Sequence, residues 1–303
     1  MTRLIFMGTP DYAAEILQTL INANDVEVVA VYTQPDKPVG RKAVLTPPRV
    51  KVLAEQFLLP VFQPNRLRDE EVVNELLQIE CDLIIVAAYG QILPKAILEY
   101  VPCINLHASI LPQYRGASPI QQSLLNNDKQ SGVTAMWMDE GLDTGAIIKI
   151  STLEIAPDEM LESLYKRLTA AACTLTLDVI RTWDRQSATA QEDAKATHCK
   201  KISKTDGLIA FDDAAEIHNR YRAFTPWPGI FTESGLKIKS LTLEEVESVG
   251  NGGEIIAIDT NSIVVQCAQG SLRIAALQAP SKQETSAVAY LNGKRLVCGN
   301  TLA

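Results

Sequence analysis

The sequence predicts two domains: an α/β domain with an open, mostly parallel sheet, and a smaller all-β domain after it. From residue 4 onward, short apolar strands alternate with amphipathic helical patterns, which is typical of parallel sheets. Residues 82–90 are almost continuously apolar, as expected for a central strand covered by helices on both faces. After residue 236 the pattern changes to short alternating runs separated by glycine-containing turns, which indicates a small β-barrel.

The first domain begins with a strand–helix–strand unit. Residues 4–8 and 26–33 are predicted as strands, and apolar residues between them recur at helical spacing. The turn after the first strand contains only Gly8, so the G-x-G-x-x-G fingerprint is absent, and neither NAD nor FAD is expected. The domain is therefore predicted to be Rossmann-like without a dinucleotide. Further strands are predicted at 61–62, 82–90, from 103, at 132–138 and at 146–150, and further helices at 50–57, 69–78, 94–99, 119–126 and 160–183.

The domain boundaries follow from a change in composition. The long helical pattern ends at residue 183, so residues 1–183 are expected to form the first domain. Residues 184–205 lack apolar periodicity and are rich in Gln, Ala, Thr and Lys, which predicts a linker. Residues 206–303 are expected to form the second domain, with a short amphipathic helix followed by strands. Those strands are predicted at 236–241, 254–259, 262–267 and 271–277.

Composition places the chain among ordinary globular proteins of a reducing compartment. It has 303 residues, 47% of them hydrophobic, and its apolar runs are shorter than the roughly 18 to 20 residues of a membrane span. The N-terminal residues predict a first strand and not a signal peptide. The six cysteines are scattered without a C-x-x-C pair, so free thiols are expected, with neither disulfides nor zinc. A cytoplasmic protein without a metal is the resulting expectation.

Charge gives a mixed indication about polyanionic partners. The net charge of −8 argues against nucleic acid, but local clusters matter more than the average for docking. The first cluster lies in and just after residues 34–49, a proline-rich loop too long for an ordinary connection, which is either functional or mobile. The second lies in the predicted linker. The two clusters comprise Lys37, Arg41, Lys42, Arg49 and Lys51, and Lys195, Lys200, Lys201 and Lys204.

A candidate catalytic site centres on the strand that starts at residue 103. Strand alternation puts Asn105 and His107 on one face, and Pro112 then ends the strand in a polar loop. Asp143 follows in a loop bracketed by glycines. An amide donor, an imidazole and a carboxylate suit acyl transfer without a nucleophilic Ser or Cys. From the residues alone, a structural hydrogen-bonded His107 and a strand-end Asn105 remain the alternative.

Several motifs resemble those of the 10-formyltetrahydrofolate-dependent formyltransferases. They are NLHASILPQYRGASPIQ, VAAYGQILP before it, DEGLDTGAI after it, and also FMGTPDYAA, TQPDKPVGR, RVKVLAEQ, LPVFQP and RAFTPWPG. The resemblance runs through both domains and is strongest to the members that act on initiator methionyl-tRNA. One departure is Ile110, where the family usually has leucine; the change keeps an apolar side chain.

The resemblance implies a mechanism and a set of binding residues. Asn105 and His107 would stabilise the oxyanion formed during formyl transfer, and Asp143 would orient His107 and help remove the amine proton. The second domain would be an OB-like β-barrel that binds tRNA, and the protein would be a monomer. The folate would contact Ser109, Ile110, Leu111 and Pro112, with Tyr89, Gly90 and Asp139 as further walls. The tRNA would contact Arg41 above all, with Lys37, Lys42, Lys200, Lys201 and Lys204.

Three alternatives share parts of this pattern. A sugar-nucleotide N-formyltransferase has the same first domain, the same three site residues and the same folate donor, but need not carry the basic loop. A tRNA-binding module with an inactive site disagrees with the intact Asn105, His107 and Asp143. A purine-pathway formyltransferase would not need the second domain.

Overall fold

The computed structural model describes residues 1–40, 42–185 and 187–302, and these divide into two compact units. The first unit comprises Met1–Pro119, Gln130–Glu154 and Tyr165–Cys199. The second comprises Ile120–Lys129, Ile155–Leu164 and Lys200–Ala303. The segment predicted as a linker therefore divides at Lys200, because its residues up to Cys199 pack within the first unit.

The described residues form strands and helices in alternation through the first unit and mainly strands in the second. The strands are β1 Thr2–Gly8, β2 Val26–Tyr32, β3 Lys37–Val39, β4 Val44–Thr46, β5 Val61–Phe62, β6 Leu83–Ala87, β7 Cys103–His107, β8 Arg115–Gly116, β9 Gln130–Trp137, β10 Ile147–Glu154, β11 His198–Cys199, β12 Ile230–Phe231, β13 Lys237–Val249, β14 Ile255–Ile258, β15 Ile263–Gln266, β16 Gln269–Gln278 and β17 Thr285–Ser286. The helices are α1 Asp11–Ile21, α2 Arg49–Gln56, α3 Glu70–Leu76, α4 Lys95–Leu98, α5 Pro119–Leu125, α6 Leu161–Ile180, α7 Ala214–Phe224 and α8 Ala287–Lys294.

The first unit is built on a mostly parallel sheet, as predicted. Within the described ranges the sheet has seven strands in the order β10-β9-β7-β6-β1-β2-β5. The five neighbouring strands β7, β6, β1, β2 and β5 are parallel to one another, whereas β9 runs antiparallel to both β7 and β10. All five residues of β6 are buried, which confirms the central strand expected from its continuous apolar sequence.

The proline-rich segment 34–49 contains a short antiparallel hairpin formed by β3 and β4. The base of the hairpin is fixed by Lys51, whose Nζ lies 3.0 Å from both carboxylate oxygens of Asp36. Arg49 is also ion-paired, with Asp11 at 2.9 Å. Two members of the first basic cluster are therefore neutralised locally, and Arg41 lies outside the described residues.

The second unit confirms the predicted antiparallel β domain. Its sheet has the order β12-β13-β16-β15-β14, with β17 paired to β16, in the part of the chain that is described. Strand β13 extends to Val249, well beyond the predicted end at residue 241, and it pairs with β16 through several register shifts. None of the described helices is both long and apolar enough to cross a membrane.

Candidate active site

Strand β7 carries the first two candidate catalytic residues. It lies between β6 and β9, and Asn105 pairs with Val86 on one side and with Met136 on the other. Asn105 and His107 are two residues apart on the strand, so their side chains project from the same face of the sheet. The loop between β9 and β10 carries Asp143, which brings the third candidate to the same end of the sheet.

The side chains of Asn105 and His107 converge on the Asp143 carboxylate. The Nδ2 of Asn105 donates to Oδ1 of Asp143 at 3.2 Å, and the Nδ1 of His107 lies 3.6 Å from the same oxygen. The other oxygen, Oδ2, accepts the backbone N–H of Gly116 at 2.8 Å. The side chains of His107 and Asp143 are only 7% and 11% exposed, so this carboxylate is held in a sheltered, hydrogen-bonded position.

The second ring nitrogen of His107 is tied to the loop after β7. Its Nε2 lies 2.9 Å from the carbonyl oxygen of Tyr114. A carbonyl only accepts, so Nε2 carries the hydrogen in this arrangement. When both nitrogens are protonated, each of them faces an oxygen acceptor, one on Tyr114 and one on Asp143. The ring is thereby fixed in orientation from two sides.

The loop that supplies this carbonyl is tightly constrained. Tyr114 has a φ of 61° and Gly116 a φ of 120°, both in the left-handed region. At Gly116 only glycine fits, because a Cβ there would overlap with the carbonyl oxygen of Cys199. Replacement of Gly116 would therefore disturb the N–H that binds Asp143.

A segment that we name the strap, residues 187–199, packs along this loop. Its strand β11 pairs in parallel with β8, and Thr197 accepts from the backbone N–H of both Tyr114 and Arg115, through its hydroxyl and its carbonyl at 2.9 Å each. Gln191 of the strap donates to the backbone carbonyl of Asp143. Sequence reasoning assigned these residues to a linker, since no periodic pattern indicates that they return to the site.

Two buried thiols of the first unit, those of Cys103 and Cys199, are not poised as nucleophiles. Burial raises the pKa of Cys103 to about 12. Burial also raises the pKa of Cys199, and the nearby Asp143 carboxylate acts in the same direction. Neither thiol supplies an appreciable thiolate near neutral pH.

The residues predicted to contact folate differ in exposure. Tyr89, Ser109 and Leu111 are 1–2% exposed, and the Ser109 hydroxyl donates to the Gln113 carbonyl at 2.6 Å. Gly90 is exposed and has a φ of 81° at the end of β6. The remaining predicted residues are the partly buried Ile110 and Pro112 and the exposed Asp139.

The lysines predicted to contact tRNA lie on the surface of their respective units, and Arg41 lies outside the described residues. Lys37 and Lys42 are exposed in the first unit, at the hairpin. Lys201 and Lys204 are exposed in the second unit. Lys200 is also exposed, and its Nζ lies 2.9 Å from Oδ1 of Asp206. This contact lowers the pKa of the Asp206 carboxyl to about 2.

Comparison with known proteins places this chain in a family. Residues 2–180 match the family model described as formyl transferase, and residues 201–295 match the model of the formyl transferase C-terminal domain. The methionyl-tRNA formyltransferase of Sulfurimonas denitrificans is 57% identical over 301 residues, covering 99% of this chain and 100% of the relative. That of Nitratiruptor sp. is 52% identical and covers 99% of each chain.

A solved structure gives an independent likeness. The N-formyltransferase from Helicobacter canadensis, determined with folinic acid and dTDP-3-aminofucose, has a TM-score of 0.69 and 20% identity, covering 91% of this chain and 99% of that chain. At this identity the likeness shows the fold alone. The family follows from the sequence matches, which extend over both units. The chain therefore belongs to the methionyl-tRNA formyltransferases, a family of formyltransferase enzymes.

Proposed function

We propose that the protein transfers the formyl group of 10-formyltetrahydrofolate to the α-amino group of methionine on initiator methionyl-tRNA. The product, formylmethionyl-tRNA, would serve translation initiation in the cytoplasm. The observation that carries the proposal is the convergence of Asn105 and His107 on the Asp143 carboxylate. The full-length relatives named methionyl-tRNA formyltransferase support the choice of substrate.

The reaction exchanges one carbon–nitrogen bond for another. The folate supplies a formyl group on nitrogen; the amine of methionine forms a bond to the formyl carbon, and the bond to the folate nitrogen breaks. The amine loses a proton and the folate nitrogen gains one. Negative charge develops on the formyl oxygen between these events, so positioned donors lower the barrier.

Asn105 supplies an N–H suited to that oxygen, and His107, whose two ring nitrogens face Tyr114 and Asp143, would stabilise it through the charge of its ring when both nitrogens carry hydrogen. Asn105 has two N–H groups on Nδ2, and among the described residues only Asp143 accepts from it. The second N–H is available for a substrate oxygen. His107 is held by Tyr114 and Asp143, so it presents a ring of fixed orientation beside the amide. Preorganised donors of this kind act without reorganisation during the reaction.

Asp143 has an orienting role and assists proton removal. Its carboxylate accepts from Asn105 and Gly116 and faces His107, so it fixes the amide and the imidazole relative to each other. An α-amino group titrates near pH ~8, so an appreciable neutral fraction exists at neutral pH without a strong base. The oxyanion donors are then the larger contribution, and Asp143 with His107 takes the proton as the new bond forms.

The residues beside the donors fit a folate in part. Gly90 leaves space at the end of β6, and Ile110 and Pro112 offer partly buried apolar surface next to β7. Ser109 and Leu111 would act through their backbone, because their side chains are buried. Tyr89 is also buried, and its carbonyl accepts from Thr9 at 3.0 Å and from Gln34 at 3.2 Å, which fixes the turn before Gly90.

The exposed lysines support a tRNA substrate. Lys37 and Lys42 lie at the β3–β4 hairpin, and Lys200, Lys201 and Lys204 are exposed in the second unit. Each phosphate contact adds close to one unit to the salt dependence of binding. We therefore expect the KM for methionyl-tRNA to rise steeply with salt while the KM for folate changes little.

A single assay tests the proposed function. The purified chain is incubated with 10-formyltetrahydrofolate and either methionyl-tRNA or a dTDP-amino sugar, and transfer of the formyl group is followed. Transfer to methionyl-tRNA alone supports the proposal. Transfer to the amino sugar alone would assign the chain to the sugar-nucleotide reaction, and transfer to neither would contradict both.

A variant of the proline-rich basic segment 34–49 tests the tRNA assignment separately. Arg41→Ala is expected to raise the KM for methionyl-tRNA much more than the KM for folate. The matched control is Arg49→Ala, because Arg49 is neutralised by Asp11. Equal effects of Arg41→Ala on the KM values for both substrates, or equal effects of the two variants on the KM for methionyl-tRNA, would contradict tRNA contact by this segment.

A further inference from the structure

The side-chain amide of Gln191 connects the strap to the candidate catalytic loop. Its Nε2 donates to the backbone carbonyl of Asp143 at 2.9 Å and to that of Gly145 at 2.8 Å. Its Oε1 accepts from Nε and Nη2 of Arg115 at 3.1 and 2.9 Å. Carbonyls only accept and a guanidinium only donates, so the amide has one orientation that satisfies all four contacts.

Arg115 holds the acceptor end of this amide rigidly. The side chain of Arg115 is only 5% exposed, and Nη2 also lies 2.8 Å from Asp193 of the strap. Two of its N–H groups point at the same Gln191 oxygen, so the planar guanidinium fixes the direction of the amide as well as its position. The donor end of Gln191 is consequently aimed at the two carbonyls.

The loop that receives this donor is one that needs support. Asp143 has a φ of 54°, a left-handed conformation that non-glycine residues adopt rarely. Gln191 anchors the backbone of Asp143 on one side, and the Gly116 N–H anchors its carboxylate on the other. Gly116 itself belongs to β8, which pairs with β11 of the strap. Both anchors of Asp143 thus depend on residues 187–199.

We propose that Gln191 is a positioning residue of the active site, which fixes the Asp143 carboxylate between His107, Asn105 and Gly116. The expected effect of Gln191 on kcat rests on the proposed formyl transfer, whereas its expected effect on the Gly116–Asp143 hydrogen bond does not. The segment between the two family-model matches is then part of the catalytic unit and not a passive connection.

The most informative variant is Gln191→Glu. The new carboxylate keeps an acceptor for Arg115, so the strap stays paired, but it places oxygen where an N–H donated to the carbonyls of Asp143 and Gly145. We expect kcat to fall by roughly 10- to 100-fold, because small displacements of catalytic groups have effects of this size. The KM values for both substrates should change much less.

The matched control lies in the second unit. Gln266 also donates to two backbone carbonyls, those of Cys267 at 2.7 Å and Gly270 at 2.9 Å. Gln266→Glu introduces the same unfavourable contact away from Asp143 and should leave kcat of the folded enzyme unchanged. Gln191→Met, which cannot donate and carries no charge, should reproduce the kcat loss of Gln191→Glu and covers the case that the charged variant does not fold.

Two further measurements separate positioning from a general loss of structure. In an Asp143→Asn background, Gln191→Glu should have little additional effect on kcat, because the group that it positions is already changed. Without any substrate, hydrogen exchange of the Gly116 amide should be roughly 2- to 10-fold faster in Gln191→Glu than in the wild type, since its bond to Asp143 is weakened.

The outcomes distinguish this inference from the proposed reaction. Failure of the wild type to formylate methionyl-tRNA contradicts the proposed reaction, and Gly116 exchange still tests the positioning. Wild-type kcat and unchanged Gly116 exchange in a folded Gln191→Glu variant would overturn the positioning. Losses that multiply in the double variant would also overturn it, since they indicate independent roles.

Discussion

Gln191 in the first unit and Gln266 in the second use their side-chain amides in the same way. Each donates from Nε2 to two backbone carbonyls at 2.7 to 2.9 Å. The carbonyls bound by Gln266 lie in the turn between β15 and β16 and at the start of β16, where Gly270 has a φ of 74°. The carbonyls bound by Gln191 belong to the loop of Asp143, whose carboxylate contacts Asn105 and faces His107.

The difference lies in what the supported backbone carries. Next to Gln266 the turn only reverses the chain, so the expected consequence of losing the amide is lower stability. Next to Gln191 the backbone carries a carboxylate that must stay in register with two donors, so the expected consequence is lower activity. We therefore expect the same kind of hydrogen bonds to affect mainly stability at Gln266 and mainly activity at Gln191.

Asp143→Asn gives the largest expected effect and tests whether the network of the first unit is catalytic. The amide replaces one carboxylate oxygen with donors, although Asn105 and Gly116 both require acceptors there. We expect kcat to fall by about 10²- to 10⁴-fold, the range of acid–base residues, and the free energy of unfolding to fall by about 1 to 3 kcal/mol because a buried donor is left facing a donor. Steady-state kinetics and urea denaturation check this. A stability loss with normal kcat would make the network structural, like that of Gln266.

Arg222→Met tests the opposite expectation for a buried arginine of the second unit. Arg222 is 1% exposed, and its Nη2 donates to Asn127 at 2.8 Å, to Asn219 at 2.6 Å and to the carbonyl of Leu124 at 3.5 Å. The variant leaves these acceptors without their donor, so the free energy of unfolding should fall by roughly 2 to 4 kcal/mol. The kcat of the folded protein should not change.

The contrast with Arg115 makes the Arg222 measurement decisive. Arg115 is buried as well but holds Gln191, so Arg115→Met should lower kcat in addition to stability. Urea denaturation and single-turnover rates measured on both variants would show the split. If Arg222→Met lowers kcat as strongly as Arg115→Met, the separation of the two networks is wrong.

Gln266→Glu should have a smaller effect on stability than Arg222→Met. A carboxylate facing the carbonyls of Cys267 and Gly270 loses two hydrogen bonds, and we expect a decrease of about 1 to 3 kcal/mol in the free energy of unfolding. Urea denaturation measures it. No loss of stability would show that this turn does not need the amide, and the comparison with Gln191 would lose its control.

The smallest effect concerns His218 of the second unit and is visible only as a pH dependence. Burial lowers its pKa, the charge of Arg222 acts in the same direction, and Asp158 opposes them. The unfolded chain then binds the proton more readily than the folded one. The contribution of His218 to the free energy of unfolding is therefore fully present above about pH 6.5 and decreases as the pH falls below that value. The slope is at most about 1.4 kcal/mol per pH unit for one proton.

His218→Gln tests this dependence directly. The glutamine cannot titrate, so the decrease in unfolding free energy below about pH 6.5 should become shallower. Urea denaturation at several pH values measures the difference between the two proteins. Parallel curves for the wild type and the variant would exclude His218 as the source.

The sequence predicted the parts of the site that depend on local periodicity. The two-residue spacing of Asn105 and His107 on a strand predicts a shared face, and β7 has them there. The continuous apolar run of β6 predicts a central strand, and the structure confirms it. The glycine-bracketed Asp143 follows β9 as expected, and its approach to β7 results from the antiparallel pairing of β7 with β9.

The parts that were missed depend on contacts between distant residues. Gln191 lies 76 positions from Arg115 and 48 from Asp143, and the strap has no apolar pattern that indicates where it packs. Backbone pairing of β11 with β8 holds it there, and pairing of this kind leaves little trace in side-chain type. The hairpin of β3 and β4 was missed for a related reason, because its strands have three residues each and their large apolar residues are exposed.

The most direct test of the account is the single-turnover rate of formyl transfer to methionyl-tRNA by Asn105→Ala, with both substrates saturating. Removal of one oxyanion donor should lower this rate by about 10²- to 10³-fold relative to the wild type, while the protein remains folded. A correctly folded Asn105→Ala variant that transfers the formyl group at the wild-type rate would contradict the proposed role of Asn105 as an oxyanion donor.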